Sequence, residues 1–421
     1  MQRDSLFLWN HWVRSLSKKL VITDWKKNGE EFLAALLLDQ EQALQIQLEP
    51  REQENLLGNI YVGRVEKVVE GMQAAFVEIA PGKSCYLPLT EAEYAIFTSR
   101  RIHSAPLRAG DELLVQVSKE AIKSKVPRVT ACPELAGRYL IFTAGKKRLN
   151  FSARLPGCDK KALQSLLEPV WKEGTYSLIV RTNAAGAPPE EVLRELNDLK
   201  QQWESIKERG LHRTCFSLLR SSEPFYLSVL RDTSFEELEK IQTDDPAVFD
   251  EMKRYLEEYA PQHVEKLTIY QDSLLPLSKL CRMEAVMAEA LSEKVWLKSG
   301  GFLVIQQTEA LTAIDVNSGK YTGKKDSQEV YKKINLEAAK EIARQLRLRS
   351  LSGILIVDFI NLEKEEDRQE LLETFDHFVR QDPIKTRVID MTALQLVEVT
   401  RKKVRRSLAE QLNRSFRKDS P

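Results

Sequence analysis

The chain has 421 residues, too many for one ordinary domain and enough for roughly two to four. At 43% apolar and 30% charged it has a globular composition, with ample material for a core. Its 63 basic and 62 acidic residues leave a net charge of +1, which excludes a global field for a polyanion, so any nucleic-acid surface must be local.

The first residues, MQRDSLFLWNHWVRSLSKKL, are amphipathic but carry no run of about 18 apolar residues and no small-residue cleavage site. Neither stable membrane insertion nor secretion is expected, and residues 1–18 read as an N-terminal extension with an interfacial helix as the open alternative. The five cysteines form no CxxC and the five histidines are scattered. That argues against a structural zinc and a disulfide framework and fits a cytoplasmic location.

KLVITDW and FLAALLLD around KNGEE predict two strands and a turn within 19–49, followed by more extended chain. Short alternating strands with glycine turns in 58-GNIYVGRVEKVVEGMQAAFVEIAPGKSCYLPL-89 and 110-GDELLVQVSKEAIKSKVPRVTA-131 predict a small barrel over 50–131. The stretch 132–223 reads as strands, a glycine/proline loop after 179-IVRTNAAG-186 and a long helix. Residues 224–290 mix strand and helix. From 291 to 406 the order strand, strand, helix, strand, helix, strand is an α/β unit, and a basic tail closes the chain over 407–421.

Within that α/β unit, 311-LTAIDVNSGKYTGK-324 and 353-GILIVDFINL-362 each end an apolar strand on an aspartate. Asp326 and Glu329 make a capping-box-like helix start. From there Val330, Ile334, Ala338, Ile342 and Leu346 recur at i+4 on one face, which predicts a crossover helix of about 22 residues. If it joins neighbouring strands, Asp315 and Asp358 share one sheet edge. Paired carboxylates there suit acid/base work or a hard cation such as Mg²⁺, which takes few protein oxygens and leaves positions for water and phosphate. Asn317, two residues beyond Asp315, points to the same face, and Lys320, Lys324 and Lys325 follow. The competing reading stays open on pattern alone: strand-end aspartates often begin turns, and lysine loops are often only solvated.

The blocks 309-EALTAIDVNSGKYTG-323 and 335-NLEAAKEIARQLRLRSLSGILIVDFINL-362 closely resemble the catalytic segment of the ribonuclease E/G family, and the likeness extends from about residue 19 to about 406. The resemblance implies an α/β multidomain fold: an RNase-H-like part (19–49 and 224–290) with an inserted OB-fold barrel (50–131) and 5′-sensor region (132–223), followed by a DNase-I-like catalytic domain (291–406). It implies an endoribonuclease that cuts single-stranded A/U-rich RNA with Mg²⁺ on Asp315 and Asp358, assisted by Asn317, leaving 5′-phosphate products. It assigns RNA contacts to Phe76, Tyr86 and Lys125, and a 5′-monophosphate pocket to Gly137, Ile141, Arg181, Thr182 and Lys385. Taken alone, Phe76 reads equally as barrel packing and the Arg181–Thr182 pair is a weak motif.

Three departures from the family pattern stand out. No zinc link and no small C-terminal domain follow 401-RKKVRRSLAEQLNRSFRKDSP-421, so no zinc is expected and the oligomeric state is open. Cys281 stands where a tyrosine is frequent, and Asn361 where an acid is frequent. The tail cations from Arg401 to Lys418 read either as an RNA contact or as a frayed helical end. The rival class is a non-catalytic RNA-binding protein that keeps the scaffold.

Overall fold

The computed structural model describes residues 18–52, 55–98, 106–120, 126–319 and 327–412. Residues 1–17 of the N-terminal extension, Lys125, Lys320, Lys324, Lys325, Asp326 and the final tail cations lie outside them, while Lys18 belongs to the first strand. Two compact units form: residues 54–234, and the flanking segments up to 53 and from 235 onward. Among the described residues no helix is long and apolar enough to cross a membrane.

In the flanking unit, β1 (Lys18–Lys27), β2 (Glu30–Asp39) and β3 (Gln42–Pro50) make an antiparallel meander. Asn28 and Gly29, at φ 51° and 84°, form the two-residue turn that the KNGEE signal announced. What read as further extended chain is the third strand.

In the 54–234 unit, β4 (Ile60–Val69), β5 (Ala74–Ala80), β6 (Lys83–Pro88), β7 (Glu112–Lys119) and β8 (Arg128–Thr130) run in the order β4-β5-β6-β8-β7. Pairing of β4 with β7 closes a five-stranded, OB-like barrel. Val65, Ala75, Val77, Cys85, Leu87, Val115 and Val129 fill its interior. The alternate residues therefore face outward. Next come β9 (Glu134–Ala136), β10 (Leu140–Ala144), β11 (Leu149–Phe151), α1 (Gly157–Lys172), β12 (Tyr176–Val180) and α2 (Pro189–Leu211). The four strands pair as β11-β12-β10-β9, and Phe142 packs with Tyr176 and Trp203 of α2 beneath them. β13 (Leu218–Arg220) returns to pair with β4, and α3 (Phe225–Asp232) ends the unit.

Back in the flanking unit, β14 (Leu238–Thr243) and β15 (Leu267–Ile269) join the meander as parallel strands, giving a sheet β15-β14-β1-β2-β3. α4 (Pro246–Tyr259) lies between them, its first turn capped by the Asp245 carboxylate, which accepts from the amides of Ala247 and Val248. α5 (Leu277–Leu280) and α6 (Met283–Leu291) follow.

The remaining elements are β16 (Lys294–Trp296), β17 (Phe302–Gln307), β18 (Leu311–Asn317), α7 (Ser327–Leu348), β19 (Gly353–Asp358), α8 (Glu365–Val379), β20 (Thr386–Met391), β21 (Leu396–Arg401) and α9 (Leu408–Leu412). The six strands order as β16-β17-β18-β19-β21-β20. α7 has the expected 22 residues and buries Ile334, Ala338, Ile342 and Leu346, while α8 adds Leu371 and Phe375 to the same core. β21 was not foreseen. Its Val397 and Val399 point into the core and Glu398 and Thr400 away from it, a weak alternation among polar residues.

Candidate active site

β18 and β19 are parallel neighbours in a register that sets Asp315 beside Asp358. The alternation of each strand decides where the acids point. Ile314 and Val316, with Leu355 and Val357, are buried in the core, so Asp315 and Asp358 stand on the opposite face, exposed. Asn317 shares that face, and its amide Nδ2 donates to Asp315 Oδ2 at 2.7 Å. Two glycines let the chain turn away here. Gly319 has φ 66°, and a Cβ on it would fall 2.4 Å from the carbonyl of Gly300, while one on Gly301 would fall 2.7 Å from that of Asn317.

Burial, and then the charge of Asp315, raise the pKa of Asp358. Among the described residues no lysine or arginine lies within ion-pair distance of either acid. Two adjacent carboxylates without a counter-charge cost electrostatic energy, and a divalent cation between them would remove it. Two carboxylates and an amide oxygen are hard donors of the kind Mg²⁺ accepts, so the residues present fit such an ion.

The face extends sideways in two rows. Lys294, Val304, Asp315, Asp358 and Leu396 follow one another across β16, β17, β18, β19 and β21. Trp296, Phe302 and Asn317 form the next row.

On the barrel, Phe76 and Tyr86 are cross-strand partners on the outward face, with ring centroids 6.5 Å apart and an interplanar angle of 89°. That outward placement decides against Phe76 as barrel core. Sequence reasoning missed Lys67, which pairs with Phe76 across β4 and β5 and holds its Nζ 5.0 Å from the ring centroid. The signal was available in the alternation of 64-RVEKVV-69. Lys125 lies outside the described residues.

Pairing of β10 with β12 brings Gly137, Ile141, Arg181 and Thr182 to one end of the four-stranded sheet. Arg181 donates from Nη1 to the carbonyl of Gly137 at 2.7 Å and from Nη2 to Asp232 Oδ1 at 2.5 Å. The Thr182 and Ser152 hydroxyls are 2.8 Å apart. Gly137 is needed for a reason the sequence did not show. The carboxylate of Glu195 occupies the place of a Cβ, at 2.3 Å, and accepts from the amides of Arg138, Tyr139 and Leu140 at 2.8–2.9 Å. Burial raises the Glu195 pKa above the usual glutamate range in spite of those three donors. Lys385, exposed before β20, belongs to the other unit.

One tail cation is corrected by the structure. Arg401 is buried and donates to Asp382 and to the carbonyl of Leu351, so it holds the fold and offers nothing to RNA. Cys281 packs against the core of the five-stranded sheet, and burial pushes its thiol up to about 11. Asn361 is exposed just beyond β19.

The ribonuclease E/G family model matches residues 134–404. Ribonuclease G of Haemophilus influenzae is 35% identical over 375 residues, covering 86% of this chain and 76% of that protein. Ribonuclease G of Escherichia coli K12 gives 35% over 374 residues with the same coverage. Ribonuclease E of a Nostoc species gives 34% over 360 residues, 84% of this chain and 52% of that protein. Likeness of this extent, running through both aspartates and the sheet that sets them side by side, makes the chain a member of the ribonuclease E/G family.

Proposed function

We propose that this protein is an endoribonuclease that hydrolyses single-stranded, A/U-rich RNA with Mg²⁺, leaves 5′-phosphate products and prefers 5′-monophosphorylated substrates. The carrying observation is the register of Asp315 against Asp358, two exposed carboxylates side by side with no cation among the described residues to balance them. Asp315 and Asp358 would hold the ion, which when bound supplies a more acidic water and stabilises charge on the scissile phosphate. The Asn317 amide steadies Asp315 through its 2.7 Å bond and stands ready to orient water or a phosphate oxygen. Phe76 and Tyr86 offer outward rings on which unpaired bases stack, with Lys67 and Lys125 beside the backbone. Arg181 and Thr182, with Gly137 and Ile141, read the 5′ end.

On this reading the sheet β15-β14-β1-β2-β3 is the RNase-H-like part and the six-stranded sheet with α7 and α8 is the DNase-I-like catalytic domain. The barrel and the four-stranded sheet are the OB-fold and 5′-sensor regions. The protein works in the cytoplasm on RNA processing or decay, a setting that its free cysteines suit.

The test is cleavage of a short 5′-monophosphorylated A/U-rich RNA with Mg²⁺, wild type beside Asp315→Asn. Cutting by the wild type, lost in the variant and on chelation, is the expected result. Tight binding with no cutting at ample enzyme would instead make the protein a non-catalytic RNA binder on a ribonuclease scaffold.

A further inference from the structure

Trp296 is 65% exposed on the edge strand β16, an unusual place to leave an indole. It is not alone. The Phe302 ring lies 5.3 Å away at 59°, and the Lys294 ammonium sits 4.1 Å from the Trp296 centroid and 3.7 Å from that of Phe302. Among the described residues no carboxylate pairs with Lys294, so its charge is held by the two rings and by water.

The register ties this cluster to the acids. Trp296 and Phe302 share a row with Asn317, and Lys294 shares one with Asp315 and Asp358. At about 4.8 Å between strands, the ring pair begins one strand from Asn317 and ends roughly 10 Å away. All of these residues stand on the face opposite the helix-covered core.

We propose that Trp296, Phe302 and Lys294 form a stacking platform that receives an unpaired base of the RNA next to the phosphate being cut, with Lys294 meeting a neighbouring phosphate. The proposal rests on the endoribonuclease reading and adds a subsite to it. Each base has a π-face, so the platform is tolerant of sequence. A base within a duplex has no free face, so the platform also selects for single strands beside the acids themselves.

The test uses the full chain carrying Asp315→Asn, so that RNA is bound and not cut, with and without Trp296→Ala. The ligands are short A/U-rich RNAs bearing one abasic nucleotide at successive positions around the cut mapped with the wild type. Trp296→Ala is expected to weaken binding about 10-fold, and Trp296→Phe to restore most of it. One abasic position should weaken binding by a similar factor in the parent and cost nothing further in Trp296→Ala, because base and ring would be removed from the same contact. Equal affinities, or an abasic profile that Trp296→Ala leaves unchanged, would overturn the platform. So would a change in sedimenting mass with RNA affinity intact, which would make this face a contact between copies of the chain. Thermal melting of each variant separates lost binding from lost folding, and Trp296→Phe carries the comparison if the alanine variant melts early. Failure of the wild type to cut RNA would remove the nuclease reading, whereas the abasic coupling is read in binding alone.

Discussion

Two aspartates in the same α/β unit, Asp358 at the end of β19 and Asp382 between α8 and β20, live under opposite rules. Asp382 is 4% exposed and its partner Arg401 is 3% exposed. The guanidinium Nε donates to Asp382 Oδ2 at 2.6 Å, and the amide of Ile384 donates to Oδ1 at 2.9 Å. Nη1 of Arg401 reaches the carbonyl of Leu351 at 2.7 Å, so the buried charges and their hydrogen-bonding capacity are met within the protein. Asp358 is exposed, its charged neighbour among the described residues is Asp315, and burial and then that proximity raise its pKa. A matched charge is part of the fold. An unmatched one, held by a rigid sheet against its own repulsion, points to something that arrives from outside.

The sharpest way to break this contrast is to remove each carboxylate in turn. Asp358→Asn is expected to lower the rate of RNA cleavage by about 10³-fold, through loss of the charge that would hold the metal. Binding of the same RNA without metal should change by no more than about 2-fold, since the substituted group carries no positive charge for phosphate to seek. Single-turnover cleavage and filter binding measure the two quantities. Cleavage within about 10-fold of wild type would put the chemistry elsewhere.

Asp382→Ala tests the other side. It leaves the Arg401 charge buried and unpaired, and is expected to lower stability by about 3–5 kcal/mol in urea unfolding. Asp358→Asn, by contrast, should leave stability unchanged or slightly raised, because it deletes a repulsion. A comparable loss in both variants would erase the distinction between the two aspartates.

This contrast marks the limit of what the sequence shows. The apolar rhythm of LTAIDVN and GILIVDF, with the i+4 stripe of the connecting helix, was enough to place Asp315 and Asp358 at one edge, and the register bears that out. The rings of Phe76 and Tyr86 were legible as candidates because short alternating strands predict a barrel, but which face they took needed the register of β5 and β6. Arg401 looked like a free tail cation. Its partner lies 19 residues back, in the connection between α8 and β20, and no local pattern announces a pairing made through tertiary structure. Glu195 was invisible for the same reason, since its three amide donors come from a turn 55–57 residues earlier.

A smaller effect follows from the raised pKa of Asp358. The native state keeps that proton to a higher pH than the unfolded chain does, so this group's contribution makes stability fall as pH rises through the carboxylate range. Mg²⁺ should reverse the loss. At about 100 times its dissociation constant an ion bound only to the folded state adds about 2.7 kcal/mol. Thermal unfolding above the carboxylate range, with and without Mg²⁺, is expected to show the gain in wild type and a much reduced one in Asp358→Asn. An equal gain in both would mean that Mg²⁺ acts away from this pair.

Arg181 falls between the two extremes, and it gives the finest test. Its guanidinium is partly met, by the carbonyl of Gly137 and the carboxylate of Asp232, yet the side chain stays 18% exposed. If the fork is there to hold the loop, Arg181→Ala should cost stability and leave substrate choice alone. If a 5′-phosphate completes it, the ratio of cleavage rates for 5′-monophosphate over 5′-hydroxyl RNA should fall by about 10-fold, the scale of one charge-assisted contact. Asp232→Asn then separates the roles, because it weakens the hold on the guanidinium without removing it. The phosphate no longer competes with a carboxylate for the Nη2 donor, so the same ratio should rise by a few-fold. A ratio that drops in Asp232→Asn would show that the aspartate aims the arginine at the RNA end, and a ratio unmoved in both variants would make Arg181, like Arg401, a residue of the fold.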